Sequence, residues 1–174
     1  MIKLKSLLNE RKALYVFDFD DTLAKSEAYI YVKKKDGSEV TLDPAEYAVY
    51  EEEPGDKFDF RDFNSMLKNP QAIKSNLNDL KTAMSNPQNK VTVLTARAIA
   101  FPLSHFFKSQ HGIKPYVVGV ASSDPKKKSD WIEQHIKKGY TTIYFVDDSP
   151  KNVRAVDALK IKYPNIKIVT KLAK

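Results

Sequence analysis

The stretch Ala13-Leu-Tyr-Val-Phe-Asp-Phe-Asp-Asp-Thr22 decides the fold of this chain. Its first half is β-branched and aromatic, the composition of a strand buried on both faces. Its second half sets three aspartates, Asp18, Asp20 and Asp21, where that strand should emerge. Carboxylates this close repel one another, so a positive partner must offset them. A divalent cation would do so, and Mg2+ is the expected one because it takes oxygen ligands and keeps several waters.

Outward from this segment the chain alternates between strand and helix patterns. "KVTVLTAR" (90–97) reads as a second buried strand ending at Thr95, with Arg97 just beyond. "PYVVGVA" (115–121) reads as a third, "TTIYFVDD" (141–148) as a fourth and "NIKIVT" (165–170) as a last one. Between them, "NPQAIKSNLNDLKTAMSN" (69–86) predicts a helix capped by Asn69 with Pro70 at its first position. Its apolar stripe would run through Ile73, Leu77, Leu80 and Met84. "FPLSHFFKSQHG" predicts a helix stopped by Gly112, and "DPKKKSDWIEQHIKKG" one stopped at Gly139. "SPKNVRAVDALKIKY" predicts one halted by Pro164.

Such alternation implies an α/β fold: a Rossmann-like three-layer α/β/α sandwich with a mainly parallel sheet and right-handed crossovers. The expectation is a single domain over 1–174, interrupted by a small insertion at about 27–68 after the first strand. In that insertion "AYIYVKKKDGSEVTL" reads as a β-hairpin. "DPAEYAVYEEE" reads as a short helix with Asp43 as N-cap, Pro44 at N1 and Glu46 at N3. "EEEPGDKFDF" reads as an acidic loop. Parallel sheets bind ligands beyond the carboxyl ends of their strands, so Asp18, Asp20, Thr95, Arg97, Asp147 and Asp148 are expected on one edge.

Composition removes several function classes. The 174 residues include no cysteine, so thiol nucleophiles, zinc–thiolate sites and disulfides are excluded. No apolar run approaches the ~20 residues that cross a bilayer, and no membrane partner is expected. The basic opening "MIKLKSLLNERKA" reads as a short amphipathic helix rather than a signal peptide, and a cytoplasmic location is the expectation. A net charge of +7 is compatible with a polyanionic partner and equally with a solvated lysine surface.

Four segments together resemble the haloacid dehalogenase-like (HAD) hydrolase superfamily, in its phosphatase type with a small or absent cap. "DFDDT" fits its DxDxT signature, "VTVLT" its second motif, a lysine opening the penultimate helix its third, and "IYFVDD" its acidic fourth. The resemblance implies a Mg2+-dependent phosphomonoester hydrolase with Asp18 as nucleophile and Asp20 as general acid/base. It implies that Thr95 binds a phosphoryl oxygen and that a lysine neutralises charge on the nucleophile and the transferring group. It further implies that Asp18, Asp147, Asp148 and the backbone carbonyl of Asp20 hold Mg2+. Of Lys126, Lys127 and Lys128, the last is favoured because it stands four residues before Ile132, on the core-facing side with Trp131. Arg97 either binds substrate phosphate or decorates a helix start.

Where the family often carries a further acid, this chain has Asn152, which could order the loop or a metal-bound water. His105, His111 and His135 match no metal-ligand spacing and read as surface residues. Tyr29, Tyr31, Tyr47 and Tyr50 would either stack on bases or pack the hairpin. The expected partner is a phosphorylated substrate, a nucleotide or a nucleic-acid end, acted on by a monomer. The alternative is a HAD-fold module that binds nucleic acid or phosphate with slow or no turnover. A receiver-like domain is disfavoured, because its acidic pair would precede the phosphorylated aspartate.

Overall fold

A computed structural model describes residues 12–173; the helix read at 1–13 lies almost wholly outside them. The central sheet has five strands, β1 (Ala13–Phe17), β7 (Lys90–Thr95), β8 (Tyr116–Gly119), β9 (Thr142–Asp147) and β10 (Lys167–Leu172). Their order is β10-β9-β1-β7-β8. Every pairing is parallel. This is the Rossmann-like α/β architecture the alternation predicts.

The period of two along β1 divides its side chains between two cores. Leu14 and Val16 join Leu94, Ile132, Ile143 and Phe145 on one face. Phe17 joins Phe19, Leu80, Val93, Leu103 and Phe106 on the other. Helices α4 (Pro125–Lys137) and α5 (Pro150–Asp157) cover the first face; α2 (Lys74–Ser85) and α3 (Phe101–His111) cover the second. Each large apolar side chain removed from water in this way contributes about 1.5–3 kcal/mol before conformational entropy is charged.

Local chemistry sets the helix ends near the sheet's carboxyl edge. Asp124 accepts a hydrogen bond from the Lys126 N–H at 2.9 Å and Pro125 occupies the first turn, so α4 begins just beyond β8. Ser149 caps α5 in the same manner. Gly112, at φ 64°, ends α3 as expected. The last helix is divided, with α6 (Leu159–Lys162) following α5 after Ala158.

One helix start differs from expectation. Asn69 has φ 45° and its amide donates to Glu27, while Gln71–Ala72 form β6, antiparallel to β2 (Ala24–Lys25). The Ile73 N–H donates to the Leu23 carbonyl at 2.9 Å, which holds residues 71–73 extended and delays α2 until Lys74. The buried stripe of α2 is accordingly Leu77, Leu80 and Ala83.

The insertion is a second small body on the site edge. β3 (Ile30–Lys33) and β4 (Glu39–Leu42) form the expected hairpin, turning at Gly37 with φ 88°. Helix α1 (Pro44–Val49) has the capping box formed by Asp43 and Glu46. The acidic segment is more ordered than expected: Lys57–Asp59 form β5 along β3, because Phe58 packs against Tyr47 and Tyr50 over Ile30, Val32 and Leu42. Among the described residues no helix is long and apolar enough to cross a membrane.

Candidate active site

The register of the sheet assembles the acidic cluster. β1 lies between β9 and β7, with Phe17 level with Val146 on one side and Val93 on the other. One residue further on, Asp18 and Asp147 leave neighbouring strands side by side, the Asp18 N–H donating to the Val146 carbonyl at 2.9 Å. Asp18, Asp147 and Lys128 are all nearly or fully buried.

Lys128 reaches in from the first turn of α4. Its Nζ donates to Asp18 Oδ1 at 2.5 Å and to Asp147 Oδ2 at 2.7 Å. Its neighbours go elsewhere: Lys126 pairs with Asp130 at the surface, and Lys127 is exposed. Of the three lysines the sequence offers, geometry brings only Lys128 to the carboxylates. The helical spacing explains this, since Ile132 one turn later is fully buried and fixes that face inward.

Asp147 is held by more than the lysine. The Asn152 amide donates to both of its oxygens at 3.1 Å, and the Ser149 N–H donates to Oδ1 at 2.8 Å. Asn152 therefore orders this carboxylate. Asp148 is anchored through its backbone, whose N–H donates to Thr22 Oγ1 at 2.9 Å. Thr22 carries no role in the sequence reading beyond being the last residue of the DxDxT pattern; fully buried, it ties the first motif to the fourth.

Ligand oxygens of Asp18, Asp147 and Asp148 lie within 4.8 Å of one another. Lys128 pairs with two of these three carboxylates, so two negative charges stay uncompensated when all three are ionised. Burial first, and then Asp147 and Asp21, push the Asp148 carboxyl up to about 6. Burial likewise pushes Asp18 well up, against the pull of Lys128. Lys128 is itself raised: burial lowers it, but Asp18 and Asp147 together outweigh that effect. A hard divalent cation with oxygen ligands fits this donor set and would supply the missing positive charge.

Asp20 stands apart from that triad. Its carboxylate is bound by Arg97, Nε to Oδ2 at 2.9 Å and Nη2 to Oδ1 at 2.7 Å, so both oxygens are occupied. Its side chain is thus not among the clustered ligand atoms, and a metal contact from this residue is left to its backbone carbonyl, as the resemblance implies. Arg97 is itself buried and is spent on Asp20, on the Phe63 carbonyl and on Ser26. It does not decorate a helix start, because α3 begins four residues later. Thr95 ends β7 fully buried; its Oγ1 accepts from the Arg97 N–H at 3.2 Å and keeps its own proton to donate.

Two residues shape the loops after β1 and β7, and the first of them meets the loop that carries Arg97. Gly119 on β8 lies under it: a Cβ there would sit 2.3 Å from the Arg97 carbonyl oxygen. Asp21 has φ 56°, in the turn that closes with Asp21 N–H to the Ala24 carbonyl. Neither role is visible in the sequence.

The groups open on one cavity of about 590 Å³, lined by Asp18, Asp20, Lys128 and Asp148 on the sheet side. Tyr47, Phe60 and Phe63 of the insertion line it from across. Of the four tyrosines named above, only Tyr47 reaches this cavity. Tyr31 donates to Asp62, Tyr50 packs on Phe58 beside Lys34, and Tyr29 is partly exposed. His105 is exposed as expected, but His135 is buried against Trp131, with Nδ1 2.9 Å from the Trp131 carbonyl oxygen. The reading of His135 as a surface residue is corrected on that ground. Comparison with family models, with curated proteins and with solved structures gives no match to the chain.

Proposed function

We propose that this chain is a Mg2+-dependent phosphomonoester hydrolase acting through an aspartyl-phosphate on Asp18, the activity implied by its resemblance to HAD-like hydrolases. The observation that carries the reading is the placement of Asp18. One of its oxygens is bound by Lys128, beside the buried Asp147, and Asp18, Lys128, Asp148 and Asp20 all line one cavity.

The Asp18 carboxylate attacks phosphorus and the phosphorus–ester oxygen bond breaks. Asp20, as the acid, gives its proton to the departing alkoxide. It then takes a proton from water, which attacks phosphorus and breaks the bond to Asp18, releasing inorganic phosphate. Lys128 offsets charge on Asp18 throughout, and the Thr95 hydroxyl donates toward a phosphoryl oxygen. Asp18, Asp147 and Asp148 are the side chains that would hold Mg2+. When bound it would supply Lewis-acid charge neutralisation of the phosphoryl group.

Arg97 positions Asp20 but occupies both of its oxygens, so one must be released before a proton can reach the leaving group. This closed pair is the feature that favours the second reading, a phosphate-binding module with slow turnover. The two readings part on phosphate release from an aryl phosphate, measured with Mg2+ and with chelator. The enzyme reading predicts Mg2+-dependent release that Asp18→Asn lowers by roughly a thousandfold or more. Release no faster than in Asp18→Asn would favour the binding module.

A further inference from the structure

The aromatic side of the cavity has a composition that phosphate chemistry alone does not need. Tyr47 meets Phe58 and Phe60 edge-on, each at 5.6 Å between ring centroids, and Phe60 meets Phe63 at 6.3 Å. Packing of the insertion accounts for Phe58, which sits on Ile30, Val32 and Leu42. It does not account for Phe60, which is 39% exposed while lining the cavity.

The ring wall is also joined to the chemistry. The Arg97 guanidinium lies 4.8 Å from the Phe63 ring centroid and holds Asp20 with its other edge. A chain of contacts therefore runs from Asp20 through the buried Arg97 to Phe63, Phe60 and Tyr47, which line the cavity beside Asp20. A leaving group protonated by Asp20 would emerge along these rings. Asn64 and Ser123 also line the cavity, and their amide and hydroxyl are of the kind that hydrogen-bonds the polar edge of a heterocycle.

We propose that this wall receives the base of a nucleotide-type substrate, so that the chain takes phosphomonoesters whose leaving sugar carries a planar nucleobase. The inference rests on the phosphatase reading for where the phosphate sits. Stacking of a base on aromatic side chains is sequence-tolerant, and it is unavailable to a bare sugar phosphate. A cavity of about 590 Å³ is within the usual range for a ligand of nucleotide size.

Equilibrium binding of adenosine 5′-monophosphate and of ribose 5-phosphate, measured by calorimetry in chelator, tests the base site without requiring turnover. The nucleotide should bind on the order of 10- to 100-fold more tightly. Phe60→Leu, with Tyr47→Leu as the second variant, should collapse that ratio. Equal affinities in the wild type, or a ratio that survives both substitutions, would overturn the proposal. Turnover with Mg2+ then distinguishes the sources. Preference for either the mononucleotide or a terminally phosphorylated oligonucleotide over ribose 5-phosphate supports the base site and names its origin. Preference for phosphotyrosine over both would overturn it. Absence of turnover on every ester would sink the phosphatase reading and leave the binding ratio to decide the base site.

Discussion

The strand ends and the outer face of the insertion handle charge in opposite ways, although the insertion also buries Asp62 and the Asp56 side chain. At the strand ends Lys128, Asp18 and Asp147 are buried together, and each is held by at least two bonds or neighbours fixed by the sheet. In the insertion, Arg61 pairs with Glu39 and Asp59 through side chains about half exposed, over a small aromatic core. Exposed pairs of that kind contribute about 0–1 kcal/mol. A buried pair that loses one partner leaves an uncompensated charge, at a cost several times larger. The contrast teaches where this chain is constrained: the sheet buries charges that tolerate little change, whereas the exposed ion pairs of the insertion can vary.

Lys128→Met should have the largest effect of any single substitution at the strand ends. It leaves Asp18 and Asp147 buried without their cation, and urea unfolding in chelator should lose about 3–5 kcal/mol. Mg2+ should restore part of that loss while leaving phosphate release abolished. A variant as stable as the parent would mean that the carboxylates are not charged against Lys128.

Gly119→Ala should come next. The new Cβ would stand 2.3 Å from the Arg97 carbonyl, so backbone rather than a flexible side chain must move. The expected cost is about 1–3 kcal/mol. Because the displaced loop carries Arg97, kcat should fall with Asp20 mispositioned. Unchanged kcat would separate this loop from the chemistry.

The carboxylates at the strand ends should also make stability depend on pH. The folded chain holds the Asp148 proton up to about pH 6, whereas an unfolded aspartate releases it near 3.8. The folded state therefore carries the extra proton between those values, and stability in chelator should fall as pH rises through that window. Mg2+ should raise the melting temperature more above pH 6 than below it, since the cation and the proton compete for the carboxylate. The smallest effect belongs to the insertion: Glu39→Gln should change stability by no more than about 0.5 kcal/mol and leave kcat unaltered. A larger loss would show that the insertion's surface tolerates change no better than the strand ends do.

The positions of Asp18, Thr95 and Asp147 are legible in the sequence because each ends an apolar run whose period identifies a buried strand. Lys128 is legible through its spacing to Ile132, although the run of three lysines leaves the choice open. The pairing of Asp20 with Arg97 is not, because 77 residues separate them and only the order of β1 and β7 brings them together. Long-range pairing also explains the late start of α2, set by the Leu23 carbonyl, and the strand at Lys57–Asp59, whose sequence reads as a loop until Phe58 finds Tyr47. His135 misleads because one histidine on a helix gives no sign of which neighbour its ring will meet.

The most direct test of the account is to trap the covalent intermediate. Chain turning over an aryl phosphate with Mg2+ would be quenched in acid, reduced with borohydride and mapped by mass spectrometry. An acyl phosphate on Asp18 predicts homoserine at position 18, absent when chelator replaces Mg2+. Release of phosphate with no reduced residue at position 18, or with the label at Asp20, would contradict it.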